Sequence, residues 1–176
     1  DILNLVYLCE SFGLADAAAY WNQVIAMNDS QQRRIVERLF HALFNTLTNK
    51  KIAIFGFAFK ADTGDTRETP SGSVVRMLNE EHARLAITDP KALPNAKKDL
   101  ADISGDGTIE FVDDPYAAAE NADAVLVMTD WKQYPELDWA RIYASMRKPA
   151  LVFDTRNCLD TEALRSIGFK ALNIGK

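Results

Sequence analysis

Cysteine is nearly missing from this chain. Cys9 and Cys158 are the only two in 176 residues, and their wide separation leaves neither a disulfide framework nor the close ligand spacing of a structural zinc site. A reduced, cytoplasmic setting is the expectation that follows. The two histidines, His41 and His82, stand apart from each other. No apolar run approaches the length of a membrane span, so no membrane partner is expected. The opening Asp1-Ile2-Leu3-Asn4 has no basic flank and no cleavage pattern, unlike a signal peptide. An excess of positive charge is also lacking. Twenty basic and 25 acidic residues give a formal charge of -5, which gives no reason to expect nucleic acid or an anionic lipid surface. An anionic small molecule remains possible, because a site needs only a few local cations. Internal repeats, low-complexity tracts and disordered linkers are absent as well.

What is present is an ordinary globular composition, 48% hydrophobic and 26% charged, long enough for one domain with a full core and an appended segment. Between Leu14 and Phe55 there is neither Gly nor Pro, so nothing interrupts a long helix. Ile35, Val36, Leu39, Phe40, Leu43, Phe44 and Leu47 recur at helical spacing and form a stripe wide enough to pack on a domain or a partner. Gly13 separates this helix from a short opening one over Leu3 to Phe12.

After Asn49 short apolar runs alternate with helical patterns. Strands are predicted at 52–55, 85–87, 109–112, 125–128, 151–153 and 171–172, and their lack of clean alternation suits a sheet buried on both faces. Thr69-Pro70 and Asp114-Pro115 pair an N-cap with Pro at the first helical position. Asp138 and Asp160 are placed to cap two more helices, the last ended by Gly168. The expected fold is α/β, a doubly wound, mostly parallel, six-stranded Rossmann-like sheet preceded by a helical segment. Residues 1–48 form the lead-in and 49–176 the α/β domain.

Ligands of such sheets bind beyond the carboxyl ends of the strands, where the strand order reverses. After the first strand comes a long connection, Gly56-Phe57-Ala58-Phe59-Lys60-Ala61-Asp62-Thr63-Gly64-Asp65-Thr66-Arg67-Glu68-Thr69-Pro70. It lacks the second and third glycines of the dinucleotide fingerprint and is no Walker loop. Its length suggests function. Two readings fit. Lys60 and Arg67 are solvated charges balanced by Asp62, Asp65 and Glu68, or they grip an anion. Arg156, in Asp154-Thr155-Arg156-Asn157 after the fifth strand, puts another cation on the same rim as Lys60, an arrangement that suits a phosphate. Asp89 lies where a ribose-binding acid would sit, but without the fingerprint it reads as a turn residue before Pro90. Trp131 and Cys9 read as packing residues. Cys158 has no neighbouring His to activate it as a nucleophile.

These motifs carry a resemblance. Gly56 to Lys60 followed by Asp62 to Glu68 resembles the start of the C-terminal domain of the UDP-glucose dehydrogenases, in the UDP-glucose/GDP-mannose dehydrogenase family. Asp1 to Leu8 resembles the helix after that family's catalytic cysteine motif, and Asp89-Pro90-Lys91 and Asp154 to Asn157 fit its later signatures. The resemblance implies oxidation of the sugar C6 alcohol of UDP-glucose to a carboxylate by two NAD in succession, through a cysteine-bound thiohemiacetal and thioester. By position, Phe59 and Lys60 resemble substrate-contacting residues and Arg156 the arginine on the UDP-sugar. Arg67 resembles an arginine that reaches across the interdomain cleft to NAD, and Asp1 the aspartate behind the nucleophile that assists water or proton transfer. Members acting on UDP-N-acetylmannosamine or GDP-mannose tend to carry Asp-Asp where this chain has Gly64-Asp65, which favours the glucose branch.

The nucleophile segment and the NAD domain would precede Asp1. The expectation is therefore a substrate-binding, dimer-forming part of a larger enzyme, inactive alone and self-associating through the helical lead-in. The alternatives are a stand-alone nucleotide-sugar-binding or regulatory module and a dehydrogenase for another nucleotide sugar.

Overall fold

The structure, a computed structural model, describes residues 2–105 and 108–175. Two helices come first, α1 (Ile2–Ser11) and α2 (Ala15–Ala42). Six strands follow: β1 (Lys51–Phe55), β2 (Arg84–Thr88), β3 (Ile109–Phe111), β4 (Ala124–Val127), β5 (Leu151–Asp154) and β6 (Lys170–Asn173). The intervening helices are α3 (Pro70–Glu80), α4 (Leu93–Asp99), α5 (Pro115–Ala119), α6 (Trp139–Ser145) and α7 (Thr161–Ile167).

All six strands lie parallel in one sheet, in the order β3-β2-β1-β4-β5-β6. This is the doubly wound order with its reversal between β1 and β4, so a crevice opens at their carboxyl ends. Ile52, at the centre, pairs with Leu85 on one side and Ala124 on the other. The middle strands are apolar almost throughout because helices cover both faces, and Ile52 to Phe55, Ala124 to Val127 and Leu151 to Phe153 are buried.

The helix starts follow local chemistry. Thr69, Asp114, Asp138 and Asp160 each accept a hydrogen bond from a backbone N–H of the first turn, which satisfies a donor that the helix itself leaves unpaired. Gly168, at φ 122°, ends α7.

α2 stops at Ala42, earlier than the apolar periodicity suggests. Phe44 and Asn45 turn into the left-handed region at φ 67° and 58°, and the end is marked by neither Gly nor Pro. Leu43 and Leu47 leave the helix yet stay buried, whereas Phe44 is exposed. Ile35, Leu39, Leu43 and Leu47 belong to the core of the α/β domain. Of the two uses expected for the stripe, packing on a domain or on a partner, these four residues serve the first. Arg38 fastens the same helix to the far side of the sheet. Its guanidinium lies 4.8 Å from the Phe153 ring centroid and donates to the Asn173 carbonyl at 2.8 Å. Most of the exposed large apolar residues lie upstream, at Leu3, Tyr7, Leu8, Phe12, Leu14, Tyr20 and Met27.

Candidate functional site

The crevice is built around a close approach of two strand ends. Gly56 follows β1 at φ 93°, and a Cβ there would lie 2.6 Å from Thr129 Oγ1 and 2.8 Å from Thr129 N. Only glycine fits both the backbone angle and the space. Thr129, just past β4, donates its hydroxyl to the Ala58 carbonyl at 2.7 Å and joins the two loops.

Asp89 does more than make a turn. Its carboxylate is buried and accepts five N–H groups: Phe57 N (2.7 Å), Ala58 N (3.0 Å) and Trp131 Nε1 (3.1 Å) on Oδ2, and Lys91 N (2.8 Å) and Ala92 N (2.7 Å) on Oδ1. It ties together the loops after β1, β2 and β4. Trp131 is buried in the same knot, and Tyr134 beside it has a phenol pushed well above its ordinary range by burial and then by the Asp89 charge. Asp89 is therefore committed to backbone donors where a ribose acid would sit. With the fingerprint glycines missing and Phe57 buried at the turn, the residues present do not fit a dinucleotide in this crevice.

The loop from Gly56 to Thr69 is well tied. Phe59 N donates to the Asp65 carbonyl at 2.8 Å and closes it. Asn95 Nδ2 donates to the Gly64 carbonyl at 2.7 Å, Lys91 Nζ to the Asp62 carbonyl at 3.2 Å, and the Thr66 hydroxyl to Asp99 Oδ2. α4 thus braces the loop, and it is a helix that the sequence reading did not expect.

The expected site residues fall into two groups. Phe59 and Arg156 line one cleft of about 690 Å³ between the carboxyl rim and the two lead-in helices. Its other walls include Met128, Thr155 and, on α2, Asn28 and Gln32. The α2 contribution was invisible in sequence, because those residues reach the rim only through packing of the helix. Arg156 Nη2 donates to Asp130 Oδ1 at 3.3 Å, and its backbone N donates to the buried Asp154 at 2.9 Å. Asp130 is a partner that sequence reasoning did not single out.

Lys60 and Arg67 form the second group, outside that lining. Both are exposed on the loop beside Asp65. Arg67 donates from Nε to Asp65 Oδ1 at 2.9 Å and from Nη2 to Oδ2 at 2.7 Å. The hydrogen-bonded guanidinium holds the Asp65 carboxyl far below the usual carboxylate range. Asp1 lies outside the described residues.

Neither cysteine is set up as a nucleophile. Burial and the adjacent Asp154 push the Cys158 thiol up to about 12, so it stays protonated near neutral pH, and Cys9 is buried. No group of three or more metal-ligating side chains occurs among the described residues. The chemistry on offer is recognition: an aromatic face and cations on a rim suit an anionic ligand that carries a ring.

Residues 53–161 match the UDP binding domain of the UDP-glucose/GDP-mannose dehydrogenase family. The chain belongs to this family. Within it, the chain is 47% identical over 180 residues to the UDP-glucose 6-dehydrogenase of Caenorhabditis elegans, covering 99% of this chain and 37% of that protein. It is 48% identical over 187 residues to the UDP-glucose 6-dehydrogenase of Pongo abelii, covering 100% and 37%. The solved UDP-glucose dehydrogenase of Pyrobaculum islandicum superposes with a TM-score of 0.66 at 26% identity, covering 99% of this chain and 35% of that one. The chain thus spans well under half the length of these relatives. The matched region runs from within β1 past the Arg156 loop, so the cleft residues from Phe59 to Arg156 lie inside it, while its α1–α2 wall and Ile174 lie outside.

Proposed function

We propose that this chain is the nucleotide-sugar-binding part of an NAD-dependent UDP-glucose 6-dehydrogenase, the enzyme that converts UDP-glucose to UDP-glucuronate. The observation that carries the reading is the rim cleft, with Phe59 and Arg156 on it, in a chain 45–48% identical to UDP-glucose 6-dehydrogenases. Arg156 is assigned to the UDP-sugar. Phe59 contacts the substrate from the same rim, and Lys60, on the adjoining loop, supplies a second cation to its phosphate-and-sugar end. Charge-assisted hydrogen bonds of this kind are strong and directional, so they fix the register in which C6 is presented.

Two NAD, bound in succession, would each accept one of the two hydrides of the overall oxidation. In this reading a separate domain holds the cofactor, since the crevice described here does not fit a dinucleotide. Arg67 reaches that cofactor from the exposed loop, and Asp1 assists water or proton transfer next to a cysteine outside this chain. The chain is a dimer through α1 and the first half of α2, where exposed apolar side chains gather. No helix among the described residues is long and apolar enough to cross a membrane, in keeping with a cytoplasmic enzyme.

The test is reduced-cofactor absorbance with the complete enzyme and, in parallel, with this chain alone. The complete enzyme is expected to reduce two NAD per UDP-glucose and to prefer it over UDP-N-acetylmannosamine and GDP-mannose. The chain alone is expected to match the no-protein control. Preference for another nucleotide sugar would overturn the glucose assignment. Turnover by the chain alone would overturn the division of labour.

A further inference from the structure

We propose that Asp65 is a positioning residue, which aims the Arg67 guanidinium at the diphosphate of a dinucleotide. The proposal rests on the reading of Arg67 given above and adds to it the residue that makes that reading work. A lone arginine on an exposed loop samples many rotamers, and ordering it on a ligand costs conformational entropy at the moment of binding. Arg67 has an 87% exposed side chain. Its hydrogen bonds converge on one group. Asp65 takes the backbone N of Arg67 at 3.0 Å, Nε at 2.9 Å and Nη2 at 2.7 Å.

That grip uses one edge of the fork. Of the five guanidinium N–H donors, Nε–H and one Nη2–H are engaged, which leaves the two on Nη1 and the second on Nη2 for a ligand. The free edge suits two oxygens of a diphosphate. Asp65 is itself anchored, since Thr63 Oγ1 accepts from its N at 3.0 Å and its carbonyl receives Phe59 N at 2.8 Å. The adjoining Gly64 carbonyl and Thr66 hydroxyl are held by Asn95 and Asp99 of α4. The aim of Arg67 is therefore referenced to the sheet and not to the flexible stem of the arginine. Lys60, whose charge acts on the same carboxylate, offsets its repulsion of an approaching anion.

The experiment uses the complete enzyme and reads the dissociation constant for NAD by calorimetry, without sugar nucleotide, alongside the KM for UDP-glucose. Arg67→Ala, Asp65→Ala, Asp65→Asn, Asp65→Glu and the double variant Asp65→Ala/Arg67→Ala are compared. Asp65→Asn keeps the size of the side chain and the acceptor for Arg67 N, so it reports on aiming even where Asp65→Ala does not fold. Asp65→Asn and Asp65→Ala are expected to weaken NAD about ten-fold, as Arg67→Ala does, because one charge-assisted contact is lost in each. The double variant should be no weaker than Arg67→Ala, and Asp65→Glu should recover most of the loss. The KM for UDP-glucose should stay within about two-fold, which a general collapse of the loop would not allow. If Arg67→Ala weakens NAD and Asp65→Asn does not, the positioning role is wrong and the reading of Arg67 stands. If Arg67→Ala leaves NAD binding unchanged, the reading of Arg67 falls and takes the proposal with it.

Discussion

Arg156 and Lys60 are cations of different kinds. Arg156 sits half-shielded against Asp130 at 3.3 Å and lines the cleft, whereas Lys60 stands on the exposed loop. On the proposed assignment, a ligand phosphate competes with Asp130 for Arg156, and the arginine exchanges one anionic partner for another. On the same assignment, removing either cation deprives the bound sugar nucleotide of a hydrogen bond to a charged group, worth about 1.5–3 kcal/mol. Arg156→Ala and Lys60→Ala in the complete enzyme should each lower kcat/KM for UDP-glucose by about one to two orders of magnitude. Steady-state kinetics checks this, and unchanged values would mean that both are solvated loop charges. Cys158 gives a pH-dependent prediction. With its thiol pushed up to about 12 by burial, the folded state holds the proton more tightly than the unfolded chain. That contribution to stability is fully present below about pH 8.5, the ordinary thiol value, and is lost as pH rises toward the folded value. Iodoacetamide at pH 8 should label Cys158 much more slowly in the native protein than in urea. Equal rates would contradict the burial assigned to it.

The elements show what could be read from the sequence and what could not. The six strands and four helix starts were legible because their signals are local: a short apolar run, or a capping side chain one residue ahead of Pro70, Pro115, Trp139 and Thr161. The end of α2 was not legible, because Phe44 and Asn45 adopt positive φ without a glycine to announce it. α4 was missed because Ala92, at its start, offers no side-chain cap. The knot at Asp89 was hidden for another reason. Its donors Phe57, Ala58 and Trp131 lie more than thirty residues away in sequence and meet it only in the finished sheet. The Arg156 and Lys60 motifs were visible, but not that Arg156 would share a cleft with α2 while Lys60 would not. Two substitutions test these elements by chemical denaturation. Leu39→Ala, on the face of α2 that is fully buried in the core, should cost about 2–5 kcal/mol. Gly56→Ala should cost at least about 1–3 kcal/mol from its left-handed backbone alone, plus the clash with Thr129. A loss below half a kcal/mol in either, roughly the surface-substitution range, would mean that the junction is looser than described.

At the scale of the molecule, the sheet presents a ligand rim on one end and the lead-in helices turn that rim into a cleft. The same helices leave Tyr7, Phe12 and Tyr20 exposed, which is the surface assigned to self-association. Light scattering should give a dimer that Phe12→Asp converts to a monomer, and a monomer before the substitution would contradict that assignment. The central claim, however, is where the sugar nucleotide sits. The most direct measurement is an amide-resolved NMR titration of this 176-residue chain with UDP-glucose, which detects weak as well as tight binding. The account predicts saturable shifts clustered at Phe59, Lys60, Met128, Thr155 and Arg156, lost in Arg156→Ala. Saturable shifts at the opposite, amino-terminal end of the strands, near Lys51 and Asp123, or the same shifts surviving in Arg156→Ala, would contradict it.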